Sequence, residues 1–175
     1  MTSLQNIKHY HSRFGFGLSL EDYLIFTKSN SFDALAHLNK QVSVSDYRPL
    51  KISKTTAPLR FKEMAEMEKS DRKAMVKDDR KVVIEINGEW VAEMASTSNP
   101  LREKMSLFWH DHFACKPKTS HMAASYLELL RKQALGNFRS LLHGVAKEPA
   151  MLLYLNNQQN RKGQPNENFA REVME

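Results

Sequence analysis

The sequence holds one cysteine, Cys115, so no internal disulfide can form and an oxidised, disulfide-stapled framework is excluded. Six glycines and six prolines among 175 residues are too few turn formers for a fold built of many short strands. No apolar run approaches the ~18 residues that a membrane-spanning helix needs. Lys8, His9, His11 and Arg13 interrupt the N-terminus before a signal-peptide h-region can develop, which makes the cytoplasm the expected compartment. Acidic residues are in deficit, 20 against 26 Lys and Arg, for a net charge of +6 and a pI near 9.4. That balance admits an acidic partner. The basic residues are scattered among acids, however: Leu59 to Lys81 holds eight Lys/Arg and six Asp/Glu. Such a mixture reads as a solvated helix laced with ion pairs. Without a basic stripe interleaved with aromatics, nucleic acid is not the expected partner.

What the chain does have is helical period. An apolar fraction of 41% and a charged fraction of 26% suit one soluble globular domain. Leu4, Ile7, His11 and Phe14 predict a helix over about Ser3 to Arg13, closed by Phe14-Gly15-Phe16-Gly17. Ser19, with Asp22 three residues on, caps a second helix running to about Lys28. Ser31 opens a third, with Phe32, Leu35, Ala36 and Leu38 as its apolar face and His37 as a partly buried structural residue beside it. Gln41 to Pro58, with Pro49, Pro58 and no lasting period, reads as a long surface connection with a short extended piece at Gln41 to Val44. A charged helix over Leu59 to Asp79 follows, with a narrow stripe of Phe61, Met64, Ala65, Glu68, Met75 and Val76. Lys81 to Ile86 has local strand character, but no second strand follows to pair with it. Val82 to Met94 is therefore read as helix, with Ile86, Trp90, Val91 and Met94 facing the core.

The densest stretch is Leu101 to Phe113. Asn99 is suited to cap it and Pro100 to its first position, where the missing N–H costs nothing. At about 100° per residue, Met105, Phe108 and His112 fall within about 40° of Leu101, widened by Trp109 and Phe113. His110 falls on the opposite side, near Glu103. Beyond Lys116-Pro117-Lys118, Met122, Tyr126, Leu129, Leu130 and Ala134 mark another helix, followed by two short ones over Phe138 to Ala146 and Ala150 to Leu155. Asn156 to Gln164 is a polar loop, and a last helix opens at Pro165 and Asn166. These readings give an all-α, irregular bundle of about seven to nine helices around a central helix over 100–113, as a single domain 1–175 with 41–58 as its long surface loop. Glu175 ends the chain in mid-helix, as expected of the N-terminal part of a longer domain.

Residue types select the candidate site. His110, His112, Glu167 and Glu172 are the types that bind a divalent transition metal. His110 and His112 with Glu167 and Arg171 are also the candidate acid–base or catalytic set. Two features weigh against a shared ion: a His-x-His pair diverges on a regular helix, and Glu172 lies about 140° from Glu167. No His-Glu-x-x-His spacing is present. The other reading is a polar network in which these histidines and glutamates, with Arg171, satisfy one another. Asn156, Asn157, Asn160, Asn166 and Asn168 lack the negative charge of a calcium loop and read as turn and cap residues. Cys115 reads as a small buried hydrophobe, not a nucleophile.

Several blocks resemble the bacterial family catalogued as domain of unknown function 1800. They are His9 with Arg13 to Gly17; Leu101 to Met105 with Phe108 to Phe113; Leu130-Arg131 and Ala134 to Phe138; Pro149 to Leu152; Tyr154 to Asn157; and Asn166 to Glu172, with Phe169 where tyrosine is usual. The resemblance implies a helical domain that continues past residue 175 and carries no established reaction. It also implies relatives that are often exported, which makes the cell envelope the alternative compartment. A protein partner is implied as well, since the family is often encoded beside a second one numbered 1501. Two functions follow from the sequence. One is an enzyme-like domain with a polar, metal-assisted site between helices 100–113 and 165–175. The other is a binding or assembly protein in which the same residues hold the fold.

Overall fold

The structure, a computed structural model, describes residues 4–28, 33–43, 47–52, 55 and 66–174. Ser3, Ser31, Phe32, Val44, Leu59, Phe61, Met64 and Ala65 lie outside them. Among the described residues the regular structure is helical throughout, apart from one isolated bridge between Arg161 and Gln164. The helices are α1 (Leu4–Phe14), α2 (Leu20–Lys28), α3 (Ala34–Ser43), α4 (Lys69–Ser96), α5 (Pro100–His112), α6 (Ser120–Gln133), α7 (Phe138–Lys147), α8 (Pro149–Tyr154) and α9 (Asn168–Met174). The chain is an all-α, multi-helix bundle.

Its centre is the pair α5 and α6. Helix α6 packs against α4, α5, α7 and α8, while α5 packs against α1, α3, α4 and α6. One side of α6 supplies Tyr126 and Leu130 to a core shared with Leu141, Val145, Ala150 and Met151, onto which Trp109, Phe113 and Cys115 pack. The other side supplies Ala124 and Leu127 to a second cluster with Ile86 and Trp90 of α4. Leu50 and Ile52 cover that cluster, so the connection after α3 contributes to the core.

Side-chain caps set most of the helix starts, each by accepting from an N–H that the helix leaves orphaned. Ser19 Oγ accepts from Asp22 N at 3.0 Å and donates to Asp22 Oδ2 at 2.7 Å. Asn99 accepts from Arg102 N, Thr119 from Met122 N and Asn137 from Ser140 N. Asp79 of α4 reaches across to Ser120, accepting from its N at 2.9 Å and its Oγ at 2.6 Å, and so fixes α4 to the start of α6.

The structure corrects six local readings. Asp33, not Ser31, caps α3 through Leu35 N and Ala36 N. Helix α3 turns Ala34, His37, Leu38 and Gln41 inward and leaves Leu35 and Ala36 exposed. It also runs on through Gln41 to Ser43, the start of the expected loop. Lys69 to Asp79 and Val82 to Met94, read as parts of two helices, belong to one helix from Lys69 to Ser96, which the extended Glu68 (ψ 150°) bounds on its N-terminal side; residues 59–65 lie outside the described residues. Ile86 and Trp90 are buried as expected, but Val91 faces solvent. The sixth correction is the face of α5. Leu101 is buried and Met105, Trp109 and Phe113 are half-buried as expected, but the other buried positions are Arg102, Glu103 and Ser106, and Phe108 and His112 are exposed.

Candidate functional site

The expected site residues fall into separate surroundings. The His110 ring lies against Trp90, centroids 5.4 Å apart. His112 stacks on Phe108 at 5.9 Å and meets Phe113 edge-on at 4.8 Å. Both histidines are exposed over part of their surface. Trp90 still shields one face of the His110 ring, and the lost hydration lowers its pKa below the ordinary histidine value, against the pull of Asp111. Glu167 is exposed just before α9, where its carbonyl accepts from Arg171 N at 2.9 Å. Arg171 donates to Glu172 at 3.0 Å on the same exposed face. Among the described residues, no group of three or more His, Cys, Asp and Glu is placed to hold a metal ion. Asn166 and Asn168 turn their amides to the Leu155 carbonyl, which is loop and cap chemistry. Burial raises the Cys115 thiol to about 11, which keeps it protonated at neutral pH.

The buried polar network is made of other residues. Glu103 and Arg131, with side chains 2% and 1% exposed, pair at 2.8 Å. Arg131 Nε donates to the same carboxylate at 2.9 Å and Trp90 Nε1 at 2.8 Å. Arg131 also donates to Glu128 at 3.1 Å, and its guanidinium lies over the Tyr47 ring. Burial depresses the Arg131 guanidinium, but Glu103 and Glu128 more than offset this and its pKa is raised. The signal in the sequence was faint. Glu103, Ser106 and His110 recur at helical spacing inside an aromatic block, and a hydrophobicity criterion assigns that strip to solvent.

A second feature joins elements distant in sequence. Helices α1, α2 and α3 meet the turn between α4 and α5 around a polar cleft of about 570 Å³, lined by His11, Asp22, His37 and Gln41 with Phe16 and Ser19 at its edge. Local geometry builds it. The Gly15 Cα approaches so closely that an added Cβ would lie 3.2 Å from Pro100 Cβ and 3.1 Å from the His11 carbonyl. Gly17, at φ +116°, then turns the chain in a conformation open to glycine. Asn99 Nδ2 donates to the Gln41 carbonyl at 3.1 Å, tying the end of α3 to the cap of α5.

Two histidines share this cleft. Their rings are 5.8 Å apart, and His37 Nδ1 is bonded to the Tyr10 hydroxyl at 3.1 Å. Burial lowers the pKa of His11, which Asp22 partly counteracts and His37 reinforces. Gln41 is 7% exposed. Its Oε1 has no hydrogen-bond partner among the described residues. The depressed His11 value sets a pH dependence. The unfolded chain takes up a proton near pH 6.5 that the folded chain refuses until lower pH, so stability falls as pH drops through 6.5. Urea unfolding between about pH 7.5 and 5 will show this slope, and His11→Phe will reduce it to the part that the lowered His110 contributes.

No curated protein and no solved structure is significantly similar to the chain. The family described as protein of unknown function (DUF1800) matches residues 9–175, from the N-terminal helix that lines the cleft to the end of the sequence. The chain thus belongs to the DUF1800 family.

Proposed function

We propose that the domain binds a small hydroxyl- or amine-bearing molecule in the cleft between α1, α2, α3 and the α4–α5 turn, with His11 and His37 as its proton acceptor and donor. The observation that carries this reading is Gln41 Oε1. A buried amide oxygen without a partner is costly, and a ligand N–H or O–H supplies the missing donor. Around it stand the residue types of acid–base chemistry, a neutral imidazole, a second imidazole and a carboxylate. This reading takes the cleft, instead of the histidines of α5, as the seat of the enzyme-like role expected from the sequence.

A thermal-shift screen of polyols, sugars, amino acids and primary amines tests it. A ligand at about 100 times its Kd stabilises the fold by about 2.7 kcal/mol. The expected result is a stabilising compound whose effect disappears in Gln41→Leu. Equal stabilisation of the variant contradicts the reading.

The second reading is a divalent metal held by His110 and His112 with Glu167 or Glu172, serving hydrolysis. What favours it is the lowered pKa of His110, which leaves the imidazole in the neutral form that ligates metals. It requires stoichiometric metal in tag-free protein, lost in His110→Ala.

A further inference from the structure

Helix α4 carries its positive charge on one face. Lys69, Arg72, Lys73, Lys77 and Arg80, with Val76 among them, line a shallow groove of about 460 Å³, and all six are exposed. At about 100° per residue the five cations fall within a sector of about 140°, and at about 1.5 Å per residue they run for about 16 Å. The acids of the same stretch lie elsewhere. Asp71 and Asp78 sit on roughly the opposite face, and Asp78 pairs with Lys81 at 2.7 Å. Asp79 is turned into the body, where it accepts from Ser120. Among the described residues none of the five cations is in a salt bridge. Charges that alternate along the sequence are thus segregated on the helix.

We propose that this stripe binds the phosphate backbone of a nucleic acid without reading its sequence. A nucleic-acid strand presents one negative charge per about 3.4 Å of axis, so a 16 Å line of cations spans about five phosphates. The stripe has no aromatic residue on which a base could stack, so contact is with the backbone alone. An anionic membrane is the less suitable occupant. Surface helices that lie on membranes insert a broad, continuous apolar face, whereas α4 buries Ile86 and Trp90 and leaves Val76, Ile84 and Val91 exposed singly among polar residues. Val76 is the one apolar residue in the stripe. This inference is independent of the cleft and reverses the expectation drawn from charge order along the chain.

Fluorescence anisotropy of the 175-residue chain with a labelled 20-nucleotide strand and a 20-base-pair duplex, at about 50 to 200 mM salt, tests it. Five phosphate contacts predict that log affinity falls with log salt at a slope of about −3.5 to −4.5. The triple variant Arg72→Gln/Lys73→Gln/Lys77→Gln should bind at least about tenfold more weakly at low salt, with a slope near about −1.5. The triple variant Arg139→Gln/Lys147→Gln/Lys162→Gln removes the same charge away from α4 and should keep the wild-type slope, with circular dichroism confirming helicity in both. Equal losses in the two triples would overturn the proposal, as bulk charge alone would then account for binding. Absence of binding at 50 mM salt would also overturn it, as would adsorption to phosphatidylserine vesicles without nucleic-acid binding.

Discussion

Arg131→Leu will lower folding stability by about 3–5 kcal/mol, the expected cost of removing one partner from a buried ion pair. The loss comes less from the missing attraction than from the Glu103 carboxylate, which is left charged in a fully buried position. Trp90 Nε1 still donates to it, but one neutral N–H does not replace three guanidinium contacts. The double variant Glu103→Gln/Arg131→Leu keeps an acceptor for Trp90 and removes both charges. It should recover more than half of the loss. Urea unfolding of the two single variants and the double gives the coupling directly. If the double variant is as unstable as the sum of the singles, the pair is not the unit described here.

Leu130→Ala will cost about 3–5 kcal/mol, and Phe108→Ala less than about 1 kcal/mol. Leu130 has 0% exposure and sits where α6 meets α7 and α8. Truncating it removes transfer energy and opens a cavity among well-packed neighbours. Phe108 is the larger side chain, but it is 53% exposed and rests on Trp109 and His112 at the surface. Thermal unfolding of both variants separates the structure from the hydrophobic reading of α5, which places Phe108 inside and therefore predicts the larger loss there.

That contrast shows how far local pattern reaches. Some helix starts were legible because caps are local: Ser19 and Asn99 accept from N–H groups three residues on, and Pro100 fits the first turn, where no N–H is needed. The face of α6 was legible because its inward residues are mostly apolar. The face of α5 was only partly so, because a buried carboxylate and hydroxyl occupy it and Phe108 lies outside. Glu103 counts as a core residue only once Arg131 and Trp90, 28 and 13 positions away, are brought to it. The cleft was illegible for the same reason. His11, Asp22, His37 and Gln41 belong to three short helices, and each alone reads as an ordinary polar residue. The histidines of α5 are two residues apart in sequence, yet they face different neighbours. The cationic stripe of α4 lay hidden behind acids that one turn of helix sorts away from it.

The measurement that tests the cleft most directly is an amide chemical-shift map of the isotope-labelled protein. Spectra are compared before and after adding a mixture of glycerol, hexoses, amino acids and short amines, and separately with zinc. The account predicts that the organic mixture perturbs Leu18, Ser19, Gln41, Thr97 and Ser98 around the cleft, with His11 and His37 ring signals moving together. Perturbations confined to His110, His112, Glu167 and Glu172, with the organic mixture silent and zinc active, would contradict it and return the site to the end of α5.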